Sequence, residues 1–202
     1  MIITKNDISK YERVKRLKLI NSICGLRGVH LIGTKSNDNI SNLAIFSSVA
    51  HLGSYPPLLS MVSRPSDLVK RNTIKNIINT KYYSINSVEK KFFKKAHKTS
   101  GKFPEEVSEF NECKLTEEYL NNFHSPFVKE SNIKIGMKLL DIVEVKHNKT
   151  YIIIGEIELI KTKFRNLERN FENSAAVIGL NTYYESKKID ELEYVRIKDK
   201  IN

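Results

Sequence analysis

The feature that most constrains the fold is how often the sequence interrupts its own apolar runs. Residues 29–34, 40–50, 58–62, 82–88, 137–146 and 150–160 are short apolar stretches rich in β-branched residues, each ending at polar turn residues. Such runs read as strands. The polar cluster Lys35-Ser36-Asn37-Asp38-Asn39 joins the first two as a hairpin, and His147-Asn148-Lys149 joins the last two. Pro56-Pro57 opens the third, where a proline is tolerated at a strand start. Helical periodicity is sparse. Residues 7–23 predict one helix, with Asp7 as its cap and Ile8, Tyr11, Val14, Leu17 and Ile20 at every third position. Residues 72–80 predict a second, with Asn72 as cap and Ile74, Ile77 and Ile78 on one face. Residues 90–119 read as helical or irregular. The charged tail from Lys161 holds one apolar island, 175–180. Many short strands without βαβ alternation predict a mainly β fold, a closed or half-closed antiparallel barrel with flanking helices.

At 202 residues the chain reads as a single domain, long enough to bury a core without disulfides or metals. Its segments are an N-terminal helix over 1–24 and a C-terminal extension over 161–202, expected to pack on the barrel or on a dimer partner. No run approaches the roughly 18 apolar residues of a membrane span. The start, Met-Ile-Ile-Thr-Lys-Asn-Asp, has no apolar export signal, and Cys24 and Cys113 are far apart. Both point to a reducing, cytoplasmic compartment. Lys and Arg number 34 against 23 Asp and Glu, a net charge of +11. That excess leaves three partner classes open: nucleic acid, an anionic membrane surface or a small anionic ligand.

Several chemistries are excluded. No Gly-x-Gly-x-x-Gly or Walker loop occurs among the eight glycines, and no Gly-x-Ser-x-Gly elbow. His30, His51, His97, His124 and His147 are scattered, with no metal-ligand spacing, so no metal site is expected.

What remains lies between residues 31 and 76. A hairpin strand ends in Ser47-Ser48, the next strand leads to Arg64-Pro65, and Arg71-Asn72-Thr73 opens a helix. Hydroxyls, two guanidinium groups and a helix N-terminus are the parts that hold a phosphate monoester. By composition alone the same residues read more readily as a strand end, solvated surface and a simple cap.

The ordered pattern Leu31-Ile32-Gly33-Thr34, Asn42-Leu43-Ala44-x-Phe46-Ser47-Ser48, Pro56-Pro57, Arg64-Pro65 and Arg71-x-Thr73-x-x-Asn76-Ile77 resembles the flavin reductase-like, FMN-binding split-barrel family. The likeness continues through Tyr83-Ser84-Ile85-Asn86, Ala96-His97-x-Thr99-Ser100, Ser108-Glu109-Phe110, Pro126 with Val128 and Glu130, and Ile154-Gly155-Glu156-Ile157. It runs from about residue 19 to 160, with a weaker echo at 179–184. The resemblance implies a Greek-key split barrel that forms a homodimer with FMN near the interface. It implies an enzyme that passes a hydride from NADH or NADPH to FMN, and onward to a partner oxygenase or a small-molecule acceptor. By residue, it places Ser47 and Ser48 on the ribityl chain or phosphate, and Arg64, Arg71 and Thr73 on the phosphate. The backbone from Asn42 through Ala44 to Phe46 would lie along the ring edge, with Asn76 and Asn86 as further contacts. His97 and Ser100 would approach the nicotinamide or flavin face. Two departures stand out: Leu26-Arg27-Gly28 replaces a common Pro-Arg-Pro, and Asn72 precedes Thr73 where relatives often have Asp or His. Tyr183 and Tyr184 read more readily as core or dimer-contact residues than as flavin contacts. Two other readings stay open, a non-catalytic flavin-binding or electron-transfer module and a basic nucleic-acid binder. The latter has only Lys90-Lys91-Phe92-Phe93-Lys94-Lys95 as a mixed basic and aromatic cluster.

Overall fold

In the computed structural model, which describes residues 1–64 and 72–193, the N-terminal helix is broken in two. Thr4, not Asp7, caps α1 (Lys5–Lys10). The Thr4 hydroxyl accepts from the Asp7 N–H at 3.3 Å while the Asp7 carboxylate accepts from the Thr4 N–H at 2.8 Å. This reciprocal box starts the helix earlier than the apolar stripe suggests. Tyr11 then turns extended (φ −70°, ψ 139°), and α2 (Arg13–Ser22) begins after Glu12. None of the α2 residues is buried.

The chain continues through β1 (Arg27–Gly28), β2 (His30–Lys35), β3 (Ser41–Phe46), β4 (Ala50–Ser54) and β5 (Pro57–Ser63) to α3 (Asn72–Thr80) and β6 (Tyr82–Ser87). Next come α4 (Phe93–Lys98), α5 (Glu109–Glu112), β7 (Glu117–Glu118) and β8 (Phe127–Val128). The long hairpin β9 (Ile133–Val145) and β10 (Thr150–Thr162) follows, then α6 (Leu167–Phe171), β11 (Ala175–Ile178) and β12 (Thr182–Glu185).

Seven antiparallel strands form one sheet in the order β3-β2-β6-β9-β10-β5-β4. The single strand expected over 40–50 is therefore two strands, and they lie at opposite edges of the sheet. Only Ser47, Ser48 and Val49 connect them. Three residues can join the two edges only if the sheet rolls up until those edges meet, which makes it a split barrel. Ser48 pins the corner: its hydroxyl accepts from the Val62 N–H at 3.1 Å and donates to the Val62 carbonyl at 3.0 Å.

β2 is covered on both faces. Ile32 points into the barrel with Met61, Tyr83, Ile85, Met137 and Ile153, and Ile74 and Ile77 of α3 complete that core. Leu31 points outward into a second core with Leu43, Phe92, Phe110 and Val128. Gly33 is required where β2 meets a loop, since a Cβ there would lie 2.3 Å from the Pro126 carbonyl oxygen. Of the apolar island 175–180, residues Ala175–Ile178 form β11, which pairs with β1 and β12 and adds Ala175 and Val177 to the outer core.

Candidate functional site

Helix α3 is bound to the β2–β3 hairpin by two buried amide–hydroxyl pairs. Asn42 Nδ2 donates to Thr73 Oγ1 at 3.0 Å, and Asn76 Nδ2 donates to Thr34 Oγ1 at 3.1 Å. Ile74 and Ile77 fill the barrel beneath them. Because Thr73 Oγ1 accepts from Asn42, its own proton is left to donate. Asn86 is fully buried, donates to the Leu31 carbonyl at 3.0 Å and to Ser84 Oγ at 2.9 Å, and accepts from the Val128 N–H at 3.0 Å.

β3 is an edge strand, and its first half is saturated. The Ser41 hydroxyl meets Ser108 Oγ at 2.7 Å and also donates to Glu117. The buried Glu109 carboxylate accepts the Leu43 N–H at 2.8 Å. Burial pushes the Glu109 carboxyl above its ordinary value, and the bond from Leu43 opposes that rise. Strand alternation turns the Ile45 N–H to the same open edge as Leu43, and no side chain among the described residues meets it. Ala44 is half-buried, and Phe46 packs against the barrel core. His30, opposite Phe46, has its imidazole pushed down to about 4 by burial, so it is neutral at physiological pH. Beyond Phe46, Ser47 is half-buried with no hydrogen bond to its hydroxyl among the described residues. Arg64 is exposed and forms no ion pair among them.

The expected site residues thus fall into groups. Asn42, Thr73 and Asn76 cluster at the start of β3. Phe46, Ser47, Ser48 and Arg64 gather at its end, four strand steps or about 13 Å along, because Ser48 is locked to Val62 beside Arg64. Arg71 lies outside the described residues. His97 and Ser100 belong to α4 and its C-terminal end. His97 Nδ1 meets the Tyr183 hydroxyl at 2.9 Å, with the rings edge-on at 5.5 Å, and Ser100 Oγ donates to the His97 carbonyl at 2.7 Å. Sequence reasoning assigned no role to Glu109, though it lies in the quoted Ser108-Glu109-Phe110 motif. It also did not pair Tyr183 with His97. The 90–95 cluster has no exposed stacking platform: Phe92 is buried, Phe93 packs on the outer core, and Lys90 pairs with Glu185 at 2.7 Å.

These groups suit a flavin phosphate and ring edge. Arg64 offers a guanidinium that forms no ion pair among the described residues, Ser47 and Thr73 offer hydroxyl donors, and the Ile45 N–H meets no side chain among those residues. Comparison with known proteins gives the class. Residues 26–178 match the flavin reductase like domain, and the chain belongs to that family. It is similar to a split-barrel protein of Shewanella frigidimarina NCIMB 400, classed as a candidate flavin reductase. The two are 37% identical, with a TM-score of 0.89 over 96% of this chain and 100% of the other. It is also 32% identical over 179 residues to an uncharacterized protein of Aquifex aeolicus, covering 86% of this chain and 90% of that one. Nitrilotriacetate monooxygenase component B of Bacillus cereus shares the fold at 18% identity, with a TM-score of 0.82 over 95% and 98% of the two chains. Among the described residues no helix is long and apolar enough to cross a membrane, and no group of potential metal ligands occurs.

Proposed function

We propose that the protein is an FMN-binding oxidoreductase that takes a hydride from NADH or NADPH and passes the electrons to a separate acceptor. The observation that carries this reading is the open end of β3, where the Ile45 N–H and the Ser47 hydroxyl meet no side chain among the described residues, while the Ser41 hydroxyl, the Asn42 amide and the Leu43 N–H are engaged. Bound FMN would supply the redox chemistry, so the protein needs no acid–base dyad. Its own residues do four things. Arg64 neutralises the phosphate, with Arg71 as a second cation. Ser47 and Thr73 donate hydroxyl protons to the phosphate or ribityl chain. The Ile45 N–H steadies negative charge at the ring edge. Asn42, Ser48 and Asn76 hold those donors in place.

Similarity in fold to an oxygenase component supports a partner oxygenase or a small-molecule acceptor. A homodimer fits the exposed apolar residues Leu140, Val143 and Ile160 on the β9–β10 hairpin, which a second copy would cover. A cytoplasmic location fits the two free cysteines.

The test is a visible spectrum with and without added FMN, followed by anaerobic mixing with NADH and NADPH. Flavin absorption that bleaches with either nucleotide is expected. Binding without bleaching would leave a flavin-binding module, and no FMN binding would overturn the reading.

A further inference from the structure

A second concave site lies where β7 and the loop after β8 meet the start of β9 and the end of β10. The cavity holds about 310 Å³ and is lined by five lysines and two glutamates. Its floor is Lys134, only 5% exposed, whose ammonium lies 3.0 Å from Glu118 Oε2 and 3.2 Å from the Lys129 carbonyl oxygen. Lys161, its cross-strand neighbour on β10, binds the other oxygen of the same carboxylate at 2.8 Å. One carboxylate therefore serves two ammonium groups placed directly opposite each other, an arrangement of like charges that costs stability.

The second glutamate reduces the imbalance without removing it, leaving five lysines against two glutamates. Glu130 turns to the chain and accepts from the Thr116 N–H at 3.2 Å and from its hydroxyl at 3.0 Å. The nearby buried Glu89 is likewise turned inward, to Ser87 Oγ and the Asn132 N–H. Lys91, Lys129 and Lys163 also line the cavity and form no close ion pair among the described residues, although Lys91 and Lys134 lie near enough to the Glu89 carboxylate to favour its charged form. A concave surface with this excess of positive charge concentrates anions. Lysines on flexible stems act as mobile point charges that can gather around phosphate oxygens. At about 30 Å³ per water, the volume exceeds what a single phosphate needs.

We propose that this cavity binds a diphosphate, either free or as part of a nucleotide. It is separate from the β3 site. Lys134 pairs with Asn86, Asn86 with Leu31 and Leu31 with Ile45, so three strand spacings, roughly 14 Å, lie between the cavity floor and the Ile45 backbone. The inference therefore stands apart from the flavin reading.

Titration calorimetry at constant ionic strength, with sodium pyrophosphate, ADP and inorganic phosphate, tests it. Pyrophosphate should bind saturably and more tightly than phosphate. The Lys161→Ala/Lys163→Ala double variant should weaken it at least tenfold and Lys129→Ala about threefold, with FMN affinity unchanged in both. ADP binding as tightly as pyrophosphate assigns a nucleotide, and weaker ADP binding assigns the free diphosphate. Circular dichroism checks the fold, and Lys129→Ala, a change at an exposed side chain, decides if the double variant unfolds. Absent or unsaturable binding, equal binding by the variants, or displacement of pyrophosphate by FMN would overturn the proposal.

Discussion

The two ends of β3 carry similar residues and treat them in opposite ways. At the start, the Ser41 hydroxyl, the Asn42 amide and the Leu43 N–H are all engaged, by Ser108 and Glu117, by Thr73, and by Glu109. At the end, the Ile45 N–H and the Ser47 hydroxyl meet no side chain among the described residues. Buried polar groups must find partners within the fold, because leaving one unpaired costs about 1–3 kcal/mol. The first end is thus explained by stability alone. The second is not, and its half-exposed donors are where a ligand can add bonds the fold does not make.

Asn86→Ala is the harshest test of the saturated class. It removes three buried hydrogen bonds and takes from the Val128 N–H its Asn86 acceptor, while Ser84 keeps its donation to the Pro126 carbonyl. A loss of about 4 kcal/mol in chemical denaturation is expected, with little change in FMN affinity for the molecules that remain folded. Native stability with weakened FMN binding would instead move Asn86 among the ligand contacts.

Glu109→Ala should cost about 2.5 kcal/mol, since it leaves the buried Leu43 N–H unpaired. Glu109→Gln keeps an acceptor and should cost less. The pH dependence has a definite sign. Burial raises the native carboxyl above its unfolded value of about 4.3, so between those two values the native state binds the extra proton. Relative to Glu109→Gln, the wild-type protein should therefore lose stability as pH rises from about 4.3 through the native value, and hold level above it. Urea midpoints of both proteins across that range would show this. A constant difference would mean that the carboxyl titrates normally.

Sequence and structure agree best where local chemistry decides. The turn at 35–39 and the helix Asn72–Thr80 were both legible, because turn residues and a one-sided apolar face act over a few positions. The corner at Ser47–Val49 was legible only as a strand end at Ser47-Ser48, since periodicity does not register a change of sheet edge. β9 begins at Ile133, four residues before the sequence suggested, because Lys134 and Gly136 interrupt its apolar pattern. The site shows the same division. Ser47, Arg64 and Thr73 are candidates that motifs point to, whereas the partners Glu109 and Tyr183 stand 66 and 86 residues from Leu43 and His97. Their roles arise only when the barrel closes.

Arg64→Ala probes the open end. The exposed guanidinium forms no ion pair among the described residues, so thermal stability without flavin should stay within about 0.5 kcal/mol of wild type. A charged hydrogen bond to a phosphate contributes about 2 kcal/mol, so the Kd for FMN, read by fluorescence quenching, should rise about 30-fold. Riboflavin lacks the phosphate and should bind both proteins alike. A matching loss for riboflavin would place Arg64 at the ring instead.

Adjacent serines give the finest cut, because they differ only in what their hydroxyls already hold. Ser48 both accepts from and donates to Val62, so Ser48→Ala should lower stability by about 1 kcal/mol and loosen the junction of the two sheet edges. Ser47 holds nothing among the described residues. Ser47→Ala should leave the unfolding midpoint unchanged and weaken FMN about fivefold, the equivalent of one neutral hydrogen bond. Paired unfolding and binding curves for the two variants are enough. If Ser48→Ala weakened FMN at full stability while Ser47→Ala unfolded early, the ligand-facing hydroxyl would be Ser48, and the open end of β3 would close one residue sooner.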